Sequence, residues 1–140
     1  MFHKIMVAYD DSPEAGRALK VAIELARGVG AELGVATVLE PLPSYFSFAL
    51  SANLALDWTE NKRARCIRLQ AQARRRAAAA GLYLDTHLIS GDEVAGILEC
   101  ARRYNSDLLV LGMRKHNWLR VGHTAKDIAE RAPCALLGIR

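Results

Sequence analysis

The stretch Asp107–Thr124, DLLVLGMRKHNWLRVGHT, decides how the chain folds. From Asp107 to Leu111 it is continuously apolar after the aspartate, the pattern of a strand buried inside a parallel sheet. Gly112 ends that run, a basic segment follows, and a helical pattern resumes near Thr124 and continues to about Arg131. Thr124-Ala-Lys-Asp127 has the spacing of a capping box with Asp in the acidic place, so the helix is expected to begin there. In an open α/β sheet, phosphates bind where a strand's carboxyl end meets a helix N-terminus. The helix offers unpaired N–H groups and the positive end of its dipole. Yet this segment carries few of the glycines that let a backbone close around a phosphate.

Strand and helix alternate on either side of the junction. Lys4–Tyr9 is a short apolar strand ending at Asp10, after which Ser12 suits a helix N-cap and Pro13 the first helical position. Ala15, Leu19, Ala22, Ile23 and Ala26 recur on one helical face, and Gly28 with Gly30 is expected to stop that helix. Glu32–Leu39 reads as the second strand. Pro41 and Pro43 end it and open an irregular apolar segment, Leu42–Trp58, ahead of a long helix from about Asp57 to Ala80 that stops at Gly81. Leu82–Ile89 is the third strand. Gly91 and Asp92 lead into a helix through Tyr104 that is apolar at Val94, Ile97, Leu98 and Ala101. Pro133 ends the last helix, and Cys134–Ile139 is the fifth strand.

Right-handed crossovers among five such strands give an α/β fold, a three-layer α/β/α sandwich around an open parallel five-stranded sheet. It is Rossmann-like and forms a single domain over residues 1–140. Ligands in that architecture lie at strand carboxyl ends near the switch point, here Asp10 to Ser12 and Gly112 onward.

Composition narrows the classes. With 51% apolar and 24% charged residues in 140, the chain is one ordinary soluble domain with a real core. No run reaches the roughly 18–20 apolar residues of a membrane span. The opening MFHKIMVAYD lacks the layout of a signal peptide, so no membrane partner is expected. Cys66, Cys100 and Cys134 form no CxxC pair and read as ordinary thiols in a reducing, cytoplasmic setting. Much of the net charge of +4 lies on the helix at 61–81, with Lys62, Arg63, Arg65, Arg68, Arg74, Arg75 and Arg76. Without interleaved aromatics or a docking motif it reads as a solvated face, with an acidic partner as the alternative and no nucleic acid.

The order VAYDDSPEAGRALKVAIELA, a strand ending TVLEP, GDEVAGILECARRYNSDLLVLG and a helix closing on ERAPCALLGI resembles the universal stress protein family. The resemblance covers essentially the whole chain and is most specific at Val7–Ser12, Asp107–Gly112 and Ala132-Pro133-Cys134. It implies five parallel strands in the adenine nucleotide α-hydrolase-like arrangement and a cytoplasmic stress-response role without established catalysis. It also implies a homodimer in which the last strands, here Cys134–Ile139, meet antiparallel across a two-fold axis. That strand is apolar on both faces and is followed only by Arg140, an edge that invites pairing with its own copy.

ATP-binding members of the family share G-x2-G-x9-G-[ST] after the fourth strand and an Asp near the adenine at the end of the first. Asp10 matches that Asp and Gly112 the first Gly, but Lys115 stands where the second Gly belongs. Counted forward, the final pair falls on Ala125-Lys126. Counted back from Ala132-Pro133 it falls on Gly122-His123, with the loop three residues short. GMRKHNWLRVGHTAKDI, with Trp118 at its centre, more closely resembles the branch typified by universal stress protein A, thought not to bind ATP. The expected cofactor is therefore none, with ATP as the alternative.

Asp10, Ser12, Val38, Gly112, Arg114, Gly122, His123 and Thr124 make up the candidate nucleotide or anion pocket. Asp10 either accepts a hydrogen bond from an adenine amine or bonds the backbone of its own turn. Arg114, Lys115, Arg120 and Lys126 either bind an anion or are solvated loop charges. His116 and His123 stand in no recognisable relation to a nucleophile or carboxylate, so no catalytic residue is assigned. Trp118, Tyr45, Phe46 and Phe48 either line a pocket or partner surface or pack loops over the sheet ends. The turn YDDSPE is not an SGGxDS-like loop, and neither GxxxxGK[ST] nor GxSxG occurs, so the chain is not read as an enzyme and carries no metal set. The expected function is a non-catalytic stress-response homodimer acting through contacts with unidentified protein partners. The alternative is an ATP- or AMP-binding switch with a modified phosphate loop.

Overall fold

A computed structural model describes residues 1–44, 51–113 and 121–140, the side chains of 121–123 excepted. The strands are β1 (Lys4–Ala8), β2 (Glu32–Leu39), β3 (Leu84–Ser90), β4 (Leu108–Gly112) and β5 (Ala135–Ile139). The described helices are α1 (Pro13–Val29), α2 (Ala52–Ala79), α3 (Glu93–Arg103) and α4 (Val121–Arg131). Every strand pair is parallel, in the order β3-β2-β1-β4-β5. The expected sandwich is thus the one that forms. β1 has neighbours on both edges and helices on both faces, and Ile5, Met6 and Val7 are wholly buried, which is why KIMVA shows no polar alternation. From β1 the chain winds one way through β2 to β3 and then crosses back to β4 on the other side of β1, so the switch point lies between β1 and β4.

Alternate side chains feed two cores. Ile5, Val7, Leu33, Val35, Leu84, Leu108 and Val110 pack with α1 and with Ala73 and Ala77 of α2. Met6, Ala36, Leu109 and Leu111 pack with Ile97, Leu98 and Cys100 of α3 and Ile128 of α4. α1 buries the face read from its spacing, with Ala18 added. Its start is the expected one, Ser12 Oγ accepting from the Ala15 N–H at 3.1 Å. α2 differs: only Gln70, Ala73 and Ala77 are buried along its 28 residues. Polar contacts fasten it instead. Arg76 donates to the Gly16 carbonyl at 2.9 Å, Arg74 to Thr86 Oγ1 at 2.7 Å and Gln70 to the His87 carbonyl at 2.8 Å, while Arg65 pairs with Asp11 at 3.3 Å. Arg65, Arg74 and Arg76 are exposed, as the solvated-face reading expects, and from that face they also reach α1, β3 and the turn after β1.

Other boundaries move. The segment Leu42–Trp58 is not irregular throughout. α2 begins at Ala52, where Ser51 Oγ accepts from the Leu54 N–H at 3.3 Å, and the apolar ANLAL that follows is good helix-forming sequence. α4 begins at Val121, so Thr124 lies inside the helix and is not its cap. A β-branched residue and a glycine disfavour helix locally, but helix packing on the sheet outweighs such propensities. Gly28 stays helical. Gly30 alone ends α1, in the left-handed conformation (φ 69°) that glycine adopts without a Cβ penalty. β3 and β4 each extend one residue past the expected end, to Ser90 and Gly112, and β5 starts at Ala135.

Two residues of the Asp107–Gly112 strand hold the sheet at its opposite ends. At the amino end, the Asp107 carboxylate accepts from the N–H groups of His3 (2.7 Å) and Lys4 (3.0 Å), and its own N–H donates to the Lys4 carbonyl at 2.9 Å. Burial pushes this carboxyl up, but the two amides outweigh it and hold the pKa below the ordinary carboxylate value. A lowered folded-state pKa gives stability that is present above about 3.9 and lost as pH falls through the folded value. At the carboxyl end, a Cβ on Gly112 would lie 2.5 Å from the Glu14 carbonyl carbon and 2.7 Å from the Ala15 nitrogen, backbone atoms with no room to turn aside.

Asp107→Asn is expected to lower the urea midpoint at neutral pH, with the gap to wild type narrowing as pH falls below the ordinary carboxylate value of about 3.9. A gap that does not change with pH would contradict the clamp. Gly112→Ala is expected to cost about 2–3 kcal/mol in urea unfolding. A cost under about 0.5 kcal/mol, typical of a surface change, would show that α1 does not need that close approach.

Candidate functional site

Above the point where β1 and β4 part lies a crevice of about 290 Å³. The end of β1 and the turn after it contribute Ala8, Tyr9, Asp10 and Ser12. β2 contributes Ala36 and Val38, α3 contributes Glu93 and Ile97, β4 contributes Leu111 and Gly112, and α4 contributes Thr124, Ala125 and Ile128. Ala8 and Ala36 are register partners, so two methyl groups lie side by side where larger residues would fill the space. Val38, Ile97, Leu111 and Ile128 add apolar walls.

Five sequence candidates meet here: Asp10, Ser12, Val38, Gly112 and Thr124. The backbone of Gly122 and His123 lies in the first turn of α4, but their side chains fall outside the described residues. So do Arg114, Lys115, His116, Trp118 and Arg120, together with Tyr45, Phe46 and Phe48. Lys126 is described. It does not line the crevice and pairs with Glu130 along α4 at 3.8 Å. Sequence reading missed Glu93 and the alanine floor. Alanine at the end of β1 and within β2, strands otherwise rich in branched residues, was the available signal for the floor.

The rim is partly committed to the protein's own turns. Asp10 Oδ1 accepts from the Ser12 N–H at 2.9 Å, the turn-stabilising role weighed for it. Ser12 Oγ caps α1, and Asp92 Oδ2 caps α3 by accepting from the Ala95 N–H at 2.9 Å. Gly112 serves close packing against Glu14 and Ala15. Gly96 does the same for α3, where an added Cβ would come within 3.3 Å of both Val38 and Ile89.

Among the described residues no group of His, Cys, Asp and Glu could hold a metal ion. Cys66, Cys100 and Cys134 are free thiols, and burial pushes each upward, Cys100 to about 11 although Arg103 pulls the other way. Thiols so placed stay protonated and weakly nucleophilic near neutrality. A crevice with apolar walls and a hydrogen-bonding rim has the general form of a small-molecule site. No described helix is long and apolar enough to cross a membrane.

Comparison with known proteins agrees with this architecture. Residues 1–140 match the universal stress protein family model. A Thermus aquaticus protein, the "universal stress protein in QAH/OAS sulfhydrylase 3'region", is 32% identical over 100% of both chains. The structure of universal stress protein UspA from Lactobacillus plantarum superposes with a TM-score of 0.84 at 23% identity, covering 99% of this chain and 97% of that one. An Arabidopsis thaliana universal stress protein family structure, solved with AMP bound, gives a TM-score of 0.73 at 18% identity over 98% and 90% of the two chains. The chain belongs to the universal stress protein family.

Proposed function

We propose that this protein is a non-catalytic, cytoplasmic stress-response homodimer that acts through protein contacts and holds no ATP. The observation that carries the reading is the use made of Gly112. The residue that would open a phosphate loop is pressed against the first turn of α1, where it serves packing. Lys115 at the second glycine position adds to it, since a side chain there denies a phosphate the backbone N–H approach that glycine permits. The segment around Trp118 resembles the universal stress protein A branch in the same respect. The dimer rests on β5, which among the described residues has a strand neighbour only in β4 and keeps Leu136, Leu137 and Ile139 half-buried. A half-exposed apolar edge of this kind is satisfied by pairing with a second copy.

A second reading, a regulatory switch that binds an adenine mononucleotide, is favoured by the crevice itself. Its volume and apolar floor suit a flat heterocycle, and the Arabidopsis neighbour of this fold holds AMP.

Calorimetry with ATP at micromolar protein is expected to show no saturable heat, and mass spectrometry of purified protein no adenine nucleotide. Stoichiometric ATP in either would sink the first reading. Sedimentation is expected to show a dimer that Leu136→Pro dissociates, because the Met113 N–H bond to the Ile139 carbonyl puts the amides of Ala135, Leu137 and Ile139 toward β4 and that of Leu136 on the outer edge, where proline removes a donor. A wild-type monomer, or a dimer indifferent to that proline, would rule out the β5 interface.

A further inference from the structure

We infer that the solvent-facing side of α2 is a docking surface for an acidic amphipathic helix of a protein partner. The inference rests on the reading above that the protein acts through protein contacts, and it names the surface and the chemistry of that contact.

From Asn61 to Ala79, α2 carries seven cations and no carboxylate. The other described helices offset surface cations within their own turns. Arg17 pairs with Glu14 on α1, Arg102 and Arg103 with Glu99 on α3, and Lys126 with Glu130 on α4. On α2 the arginines divide by what they meet. Arg65, Arg74 and Arg76 reach Asp11, Thr86 and the Gly16 carbonyl. Arg63, Arg68 and Arg75 are exposed and form no ion pair or hydrogen bond among the described residues. Their charge is left for an anion from outside the domain.

Ala64, Ile67, Ala71 and Ala78 follow one another at spacings of three, four and seven residues, so they share one face of the helix. None of them is buried, and Ile67 is 53% exposed. By the same periodicity Arg68 and Arg75 flank this strip on one side, and Arg63 and Arg74 on the other. Small side chains along a strip let a second helix approach closely. Guanidinium groups on either side then reach carboxylates beside the partner's seam, the arrangement by which flanking charges choose a partner helix. A lipid surface asks for several large apolar groups, and Ile67 is the single one in this strip. A second copy does not supply the complement, because no described helix of this chain carries a surplus of carboxylates.

The probe is a synthetic helix with a leucine and alanine seam flanked by glutamates, titrated into the full chain. Controls are the same residues in scrambled order, duplex DNA, and phosphatidylglycerol vesicles. The patterned helix is expected to bind about tenfold more tightly than the scrambled one, with methyl NMR shifts centred on Ala64, Ala71 and Ala78. Arg68→Gln combined with Arg75→Gln is expected to weaken binding about fivefold at low salt and less at high salt. Its urea midpoint should match wild type, since both arginines are exposed and unpaired. The docking surface is overturned if the patterned helix does not bind, if the scrambled one binds equally, or if the shifts lie elsewhere. A double variant within about twofold of wild type, or tighter binding of DNA or vesicles, overturns it as well. The ATP and sedimentation experiments above decide the underlying reading separately, so either can fail without the other.

Discussion

The close approach of β4 to the first turn of α1 is the constraint on which the site depends. A parallel sheet whose connections run in opposite directions from its central strand must open between the two strands that diverge. Here β4 ends on Gly112, whose missing side chain lets Glu14 and Ala15 lie directly against it. That contact sets the height of the α1 N-terminus above the sheet. With it come Asp10 and Ser12, which are tied to the same turn by hydrogen bonds to the Ser12 and Ala15 amides. The crevice is what remains between this turn, the alanine floor and the helices of the other layer.

Two features of the crevice pull in different directions. Its position and apolar slot are those of a small-molecule site. Two of its polar residues, Asp10 and Ser12, are engaged in turn formation and capping, and the glycine at its edge is packed against a helix. A fold can keep the opening because topology enforces it, while the residues that would grip a particular ligand change independently. That separation explains why membership of the family follows from the whole chain, whereas the identity of any ligand turns on a few side chains.

The fold was largely legible in the sequence because its signals are local and mutually consistent. Ser12 and Pro13 start α1, Gly30 and Gly81 adopt positive φ just beyond helix ends, and the apolar run of Leu108–Leu111 lies inside the sheet. What the sequence concealed was decided by tertiary contacts. Thr124 had the spacing of a cap, yet α4 starts a turn earlier, and propensity at Val121 and Gly122 gave no warning. Ala52–Trp58 looked like loop because prolines precede it and apolar residues fill it. Of the candidate site, Asp10, Ser12, Val38, Gly112 and Thr124 were readable from the sequence. Glu93 was not, because it reaches the crevice from a helix that follows the edge strand and no local pattern points across the sheet.

The attachment of α2 has a consequence for how the molecule opens. Its amino-terminal half carries exposed Leu54 and Leu56, and its burial is confined to three residues in the other half. Besides the core packing of Ala73 and Ala77 and the Gln70 bond to the His87 carbonyl, its links to the rest of the domain are exposed guanidinium contacts, each worth little in water and weakened by salt. A segment so held has a lower free energy of local unfolding than the sheet it covers. Amide exchange should therefore divide the protein into a slow unit of β1, β4 and α1 and a faster unit formed by α2, the second responding to ionic strength while the first does not.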